Sequence, residues 1–381
     1  MKAAILTWGS KGRELYRLLA GDSSGPIQVR CVVDSDCSLW GAIDGGKAEV
    51  VSSGKAAELY KNAEIDKFII PSVKESIIDA LLPALAWHGI PADDLLYASI
   101  EIFRDAELSA CEKTSRICPF GEHRELNVME LHVTDHCNLN CKNCTMFAAL
   151  VKEPVFVDVQ STIRDLHQLR RFFDHVKIFR VLGGEPLLHP NLNQILDAIR
   201  SIFPYSIIRL LTNGLLVKGM NDQLLASIKA NDVTVHISQY QVASRQIDSI
   251  NRFLAERAIR HEITPIITHF QKMYDASGKA EMNFSFESCP WRKRGCETMH
   301  DGKIAACFVP FAIPYLSNHF GLDIPASGMI DLYDGQMTTK RMRELLNQPF
   351  ETCRYCASSG HVAPWELSDE QTKNELSSWS I

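Results

Sequence analysis

The chain has 381 residues, of which 46% are hydrophobic and 23% charged, with a formal net charge of −6. That length exceeds one ordinary core and predicts two or three domains. The mildly acidic balance excludes a broad electrostatic footprint for nucleic acid, and no apolar run reaches the ~18 residues of a membrane span. Twelve cysteines follow an N-terminus that lacks the h-region of a signal peptide. They predict reduced thiols and metal sites, and a cytoplasmic protein.

Residues 2–8 form an apolar run that ends at Gly9-Ser10-Lys11-Gly12. A helical pattern follows with Leu15, Leu18 and Leu19 on one face. Further strands are expected at Val29 to Val33, ending in Asp34, and at Lys67 to Ile70, with a helix from Ile77 to Trp87 across Pro83. Strand, glycine turn, helix, strand, acid is the order of a doubly wound dinucleotide-binding sheet. Gly9 and Gly12 stand where phosphates would approach the backbone, so a nucleotide is among the expected ligands. G-x-x-G replaces the longer fingerprint, and the plain alternative is a tight turn with Asp34 capping a strand end. Asp34-Ser35-Asp36, Trp40-Gly41, Ile43-Asp44-Gly45 and Val50-Val51-Ser52 resemble Rossmann-like domains fused to enzymes of bacterial sugar and glycan biosynthesis. This domain is assigned to residues 1–105 and an irregular linker to 106–126. Cys111 and Cys118 in that linker read as small apolar residues without a role.

From Val128 the pattern alternates. Strands are expected at Val128–Val133, Val176–Val181, Ile207–Leu211, Val233–Ile237 and Glu262–Ile267. Helices are expected at Ser161–Phe173, opening on a Ser-Thr cap, and at Asn191–Phe203, Leu215–Lys229 and Arg245–Arg257. Repeated βα units predict a parallel sheet under helices, closed as a partial (β/α)6 TIM-like barrel over 127–285. Its site belongs at the C-terminal strand ends.

The first such end delivers Cys137-Asn138-Leu139-Asn140-Cys141-Lys142-Asn143-Cys144. A C-x3-C-x2-C loop can present three thiolates to one face of a [4Fe–4S] cluster. Such clusters usually take four, so one iron is left for a non-protein ligand. The second end carries Gly183-Gly184-Glu185-Pro186. There the glycines admit close backbone approach, and Glu185 supplies an acceptor for an ammonium group.

Together these motifs resemble the radical S-adenosylmethionine (radical SAM) enzymes, over roughly residues 127–270. The resemblance implies that Cys137, Cys141 and Cys144 bind three irons while S-adenosylmethionine chelates the fourth. It places Gly183, Gly184, Glu185 and Pro186 at the methionyl amino group, and Thr212, Asn213 and Ser238 near the rest of the cosubstrate. Thr212-Asn213-Gly214 and Ser238 are also ordinary turn residues at strand ends. The family usually has an aromatic residue where this chain has Asn143; Phe147 is the candidate to substitute for that ring. The implied partners are a small-molecule substrate and an electron donor such as flavodoxin or ferredoxin.

Residues 286–381 form a cysteine-rich end. Cys289 and Cys296 flank Pro290-Trp291-Arg292-Lys293-Arg294-Gly295, an Asp301-Gly302 hairpin signal precedes Cys307, and Cys353-Arg354-Tyr355-Cys356 follows. Such a set suits tetrahedral zinc or a second cluster. It resembles the SPASM/Twitch extension of radical SAM enzymes, which implies an auxiliary [4Fe–4S] cluster. The expected ligands are Cys289, Cys307, Cys353 and Cys356, with Cys296 as the spare or as a replacement for Cys289. The basic run reads as a solvated loop or as a contact to a substrate anion. His132, His136, His189 and His269 lie near strand ends with no assigned role.

The expected function is oxidation or epimerisation of a small polar substrate, a sugar, aminocyclitol or nucleotide-linked sugar. Peptide maturation is the alternative, and a metal-sensing or scaffold role the non-enzymatic one.

Overall fold

The computed structural model describes residues 1–20, 26–43, 46–73, 75–104, 110–357 and 361–381. The chain divides into two compact units, Met1–Glu125 and Leu126–Ile381.

The first unit holds β1 (Lys2–Leu6), β2 (Gln28–Val33), β3 (Gly41–Ile43), β4 (Ala48–Val51), β5 (Lys67–Pro71), β6 (Leu95–Ala98) and β7 (Ile117–Pro119). They lie in the order β3-β4-β2-β1-β5-β6-β7. The five inner strands are parallel, and the two edges antiparallel. The chain moves from β1 out to β2 and β4, then returns to β5 on the other side of β1, which is a doubly wound order. Ala4 and Leu6 enter one apolar cluster and Ala3 and Ile5 another. A strand buried on both faces reads as a continuous apolar run for that reason. Gly12 lies in the helix Ser10–Ala20, where a Cβ would stand 1.9 Å from the Thr7 carbonyl oxygen. Only glycine lets this helix start so close to β1.

The expected linker is partly ordered. Within it, Ala110–Ser115 is helical and β7 pairs with β6, Leu96 opposite Pro119 and Ala98 opposite Ile117. Three residues are too short a strand to show alternation, and the free edge of β6 recruits them. Residues 106–109 of that linker, residue 105 before it, and Asp44-Gly45 of the sugar-enzyme resemblance lie outside the described residues.

The second unit begins with β8 (Glu125–Thr134) and continues through β9 (His175–Gly183), β10 (Ile207–Thr212), β11 (Thr234–Ile237) and β12 (His261–Ile263). The helices Val159–Phe172, Leu192–Ile202, Asp222–Ala230 and Ile247–Glu256 alternate with them. The first helix opens earlier than its sequence signal. Asp158, not the Ser-Thr pair, is its N-cap and accepts the Ser161 N–H at 2.8 Å. Then come β13 (His269–Gln271), β14 (Cys296–His300), β15 (Lys303–Ala305), β16 (Ile330–Asp331) and β17 (Val362–Pro364).

Eight of these strands form one sheet in the order β12-β11-β10-β9-β8-β14-β15-β16. Strands β9 to β12 pair parallel as expected and β8 lies beside β9, although β12 ends at Ile263 where a strand to Ile267 was expected. The sixth parallel strand departs from expectation. It is β14, drawn from the cysteine-rich end and paired with β8, Cys296 opposite Val128. The stretch expected as a separate small domain after residue 285 therefore shares the barrel's sheet. The physical reason is the outer edge of β8, whose unpaired backbone groups need a neighbour. The Asp301-Gly302 hairpin forms as expected between β14 and β15, with φ of 44° and 70°.

Candidate functional site

The C-terminal ends of β8, β9, β10 and β11 surround a cavity of about 280 Å³. Its walls include Cys137, Cys141, Cys144, Gly183, Gly184, Thr212, Asn213 and Ser238. Four separate strand ends thus bring together most of the residues singled out in the sequence.

The glycines are required by the backbone itself. A Cβ on Gly183, at φ 146°, would lie 2.0 Å from the Thr134 carbonyl oxygen, and one on Gly184 1.9 Å from that of His136. The Gly184 and Glu185 N–H groups donate to those two oxygens at 2.7 and 3.0 Å. The turn after β9 is thereby joined to the start of the cysteine loop.

Glu185 and Pro186, expected against the cosubstrate, stand behind this wall. The Glu185 carboxylate is fully buried and accepts from Thr212 Oγ1 at 2.7 Å, the Asn213 N–H at 2.9 Å and the Leu187 N–H at 3.1 Å. Burial pushes its pKa up to about 7, against the pull of these donors. It brackets β9 to β10. Asn213 continues the chain of contacts, its Nδ2 donating to Asn138 Oδ1 at 2.7 Å inside the cysteine loop. Thr212 and Asn213 therefore position the thiols as well as lining the cavity.

Burial raises Cys137 and Cys141 to about 12, and Cys144 also upward. Among the described residues no group of three or more His, Cys, Asp or Glu could hold a single metal ion. Three soft donors spread around one cavity instead fit a cluster, whose irons each take their own thiolate. Asn143 adds a polar group to this cavity. It is 5% exposed, has φ 58°, and neither side-chain polar atom has a hydrogen-bond partner among the described residues. Phe147 does not replace the missing ring; it turns into the core against Tyr274 and Trp379. Rings do line the cavity, from Tyr240, Phe270 and Trp291. Of these, Trp291 was singled out in sequence with the basic run, whereas Tyr240, after β11, and Phe270, inside β13, carried no signal of their own.

A second cavity of about 300 Å³ is lined by Cys289, Cys307, Cys353 and Cys356, with Arg292 and Phe286 among its other walls. Burial raises the thiol pKa of Cys307, Cys353 and Cys356. Cys296 stands apart, on β14 near Glu130 and Arg180, its thiol raised to about 12 by burial. The basic run splits: Trp291 and Arg292 face the cavity, while Lys293 and Arg294 are exposed. Gln271, Met273 and Trp291 line both cavities.

The histidines are mostly occupied. His136 Nδ1 accepts the Val155 N–H at 3.1 Å, and His189 Nε2 lies 3.0 Å from the Val157 carbonyl. His269 Nδ1 pairs with Thr268. His132 is wholly buried, without a hydrogen-bond partner among the described residues, and burial drives it down to about 3, so it is neutral. In the first unit, Asp34 accepts the Trp8 N–H at 2.7 Å and the Asp36 N–H at 3.0 Å. Its carboxylate serves the turn, as the plain reading of the glycine motif expects.

Residues 131–264 match the Radical SAM superfamily. The chain carries a radical SAM domain. Such a domain implies a [4Fe–4S] cluster and S-adenosylmethionine. Over 105 residues the chain is 32% identical to a GTP 3′,8-cyclase of Staphylococcus carnosus, which covers 26% of this chain and 31% of the relative. It is 28% identical over 126 residues to a 7,8-dihydro-6-hydroxymethylpterin dimethyltransferase of Methanocaldococcus jannaschii, over 32% of this chain and 24% of that one. The chain thus spans about a third or less of the length of these curated relatives. Among solved structures, BtrN in complex with AdoMet and 2-DOIA is similar over 62% of this chain and 97% of its own, at 14% identity and a TM-score of 0.40. Native anSMEcpe with bound AdoMet and Cp18Cys peptide is similar over 37% and 44%, at 14% identity and a TM-score of 0.31. No helix among the described residues is long and apolar enough to cross a membrane.

Proposed function

We propose that the protein is a radical SAM oxidoreductase acting on a small polar metabolite of the sugar, aminocyclitol or nucleotide-linked class. The observation that carries this reading is the shared wall. Gln271, Met273 and Trp291 face both the three-cysteine cavity of the radical SAM domain and the cavity of Cys289, Cys307, Cys353 and Cys356. A substrate held at that wall would lie between a radical source and an electron acceptor.

Cys137, Cys141 and Cys144 would hold the catalytic cluster, and the four later cysteines an auxiliary one. With S-adenosylmethionine bound, such a cluster would supply the electron for its reductive cleavage, and so the means of removing hydrogen from an unactivated C–H bond. The chain contributes position and dryness. Gly183 and Gly184 let the backbone wall come close, Asn213 fixes the cysteine loop, and the free amide of Asn143 offers a donor and an acceptor to a polar ligand. Tyr240, Phe270 and Trp291 keep the cavity apolar around it. For the auxiliary group, four thiols around a cavity of about 300 Å³, with no single-ion site among the described residues, favour a cluster over zinc. The electron for the first cluster would come from a flavodoxin- or ferredoxin-type donor. The curated relatives' names, a GTP cyclase and a pterin dimethyltransferase, are of activities on small polar molecules, which favours such a substrate over a peptide.

Deuterium transfer into 5′-deoxyadenosine from candidate substrates tests the reading, since it identifies substrate and attacked carbon together. Transfer from a labelled peptide alone would replace it with peptide maturation. With reductant, the protein should form 5′-deoxyadenosine and Cys144→Ala should form none; continued formation in that variant would refute the cluster assignment.

A further inference from the structure

The C-terminal stretch of the chain runs across the cysteine loop. Strand β17 pairs antiparallel with β13, Ala363 opposite Phe270. Beyond it, the Lys142 N–H donates to the Glu366 carbonyl at 2.9 Å, Cys141 and Leu367 form an isolated bridge, and the Ser368 N–H donates to the Asn140 carbonyl at 2.6 Å. Trp365 sits in the middle of this strap, 7% exposed. Its ring stacks on Tyr240, with centroids 5.6 Å apart and planes at 26°. The indole Nε1–H donates to Cys141 Sγ at 3.3 Å.

The sulfurs differ in where their donors come from. Cys137 accepts the Leu139 N–H at 3.4 Å, from its own loop, and more distantly Asn213 Nδ2 at 3.7 Å, from the end of β10. Cys144 is served by backbone groups of Met146, Phe147 and Ala148. Cys141 takes its donor from a side chain 224 positions away. Trp365 packs with Leu139 and Cys141 in one apolar cluster, and what an indole adds there over a phenyl ring, besides size, is an N–H donor. A buried indole N–H needs a hydrogen-bond partner, and here that partner is the sulfur.

We propose that Trp365 is a positioning residue that tunes the catalytic cluster through Cys141, raising its reduction potential. This rests on the reading of Cys137, Cys141 and Cys144 as cluster ligands. A cluster gains negative charge when reduced, part of it on the ligand sulfurs, so an N–H donor stabilises the reduced state more than the oxidised one. Hydrogen bonds to sulfur and exclusion of solvent are established determinants of cluster potential. The strap supplies both at one sulfur.

The test uses the full chain, reconstituted anaerobically, with Cys353 and Cys356 replaced by alanine so that one cluster is read. Its midpoint potential is followed by EPR in a redox titration without S-adenosylmethionine. Trp365→Phe should shift the midpoint to a more negative value at unchanged iron content. Ser368→Ala removes the hydroxyl bond of the strap to the Asn140 carbonyl, 2.9 Å, but spares the indole, and should leave the midpoint where it was. An unshifted Trp365→Phe, or an equal shift in Ser368→Ala, overturns the proposal. Should Trp365→Phe fail to take up iron, pulsed EPR of indole-¹⁵N-labelled protein carrying Trp291→Phe decides. Coupling of an indole nitrogen to the reduced cluster supports the bond, and its absence overturns it. A parent protein that holds no cluster at all would instead defeat the functional reading.

Discussion

His300 closes β14 with its ring between two carboxylates, Nε2 at 3.5 Å from Asp135 and Nδ1 at 3.4 Å from Asp301. Tyr315 donates its hydroxyl to the same Asp135, and the charge of His300 helps to hold the buried His132 neutral. Burial alone would lower His300, but the two aspartates outweigh it and raise it to about 9. Both aspartates are held below their ordinary range, although burial acts against this at Asp135. A histidine raised on folding contributes stability that is full below its unfolded pKa of about 6.5 and is lost as pH rises through about 9. Denaturation midpoints of His300→Asn should therefore lose the part of the decline that the parent shows between those values. An identical decline in both proteins would remove this charge cluster from the account. Glu185 teaches the same lesson in the other direction. A carboxylate beside two glycines reads as a ligand contact, and in the folded chain it also braces the wall by accepting from Thr212, Asn213 and Leu187.

At the scale of elements, the turn after β9 and the loop after β8 form one piece of structure. Gly183 and Gly184 face the backbone of Thr134 and His136 at distances no side chain tolerates. In Gly184→Ala the added Cβ must displace the Cys137 end of the loop, at a cost of about 1–3 kcal/mol. A lowered thermal midpoint with reduced iron uptake at the catalytic site is expected; normal iron loading would show that the loop tolerates displacement. The strands β8 to β11 were legible because buried apolar residues recur along each of them, whereas β12, His-Glu-Ile at the edge, is shorter than the Glu262–Ile267 expected from sequence. The tight turn at Asp301-Gly302 was legible too, because few other dipeptides accept positive φ at both positions. β7 and β16 were not legible, since strands of two or three residues carry no periodicity.

At the scale of the whole molecule, the cysteines sort into two groups of three and four that share Gln271, Met273 and Trp291 as a common wall. If each group holds a cluster, reconstituted protein should carry about eight irons, and Cys353→Ala with Cys356→Ala about four. That double variant should still form 5′-deoxyadenosine with reductant while losing substrate oxidation. Loss of both activities would mean that the two sites fold as one. β14 makes that outcome meaningful, because the sheet that carries Cys137 also carries the hairpin leading to Cys307.

The motif residues Cys137, Cys141, Cys144, Gly183 and Gly184 were readable from the chain because their chemistry depends on local spacing, within one loop or one turn. The same is true of the alternation that predicts a parallel sheet. Tertiary structure alone decided that β14 completes the sheet from the far side of β8, that Cys296 stands apart from Cys289, and that Glu185 braces the wall. It alone brought Trp365 to the sulfur of Cys141. Each of these depends on contacts between residues scores to hundreds of positions apart, whose energies come from pairing a free strand edge or satisfying a buried polar group. No local pattern records where such a group will find its partner.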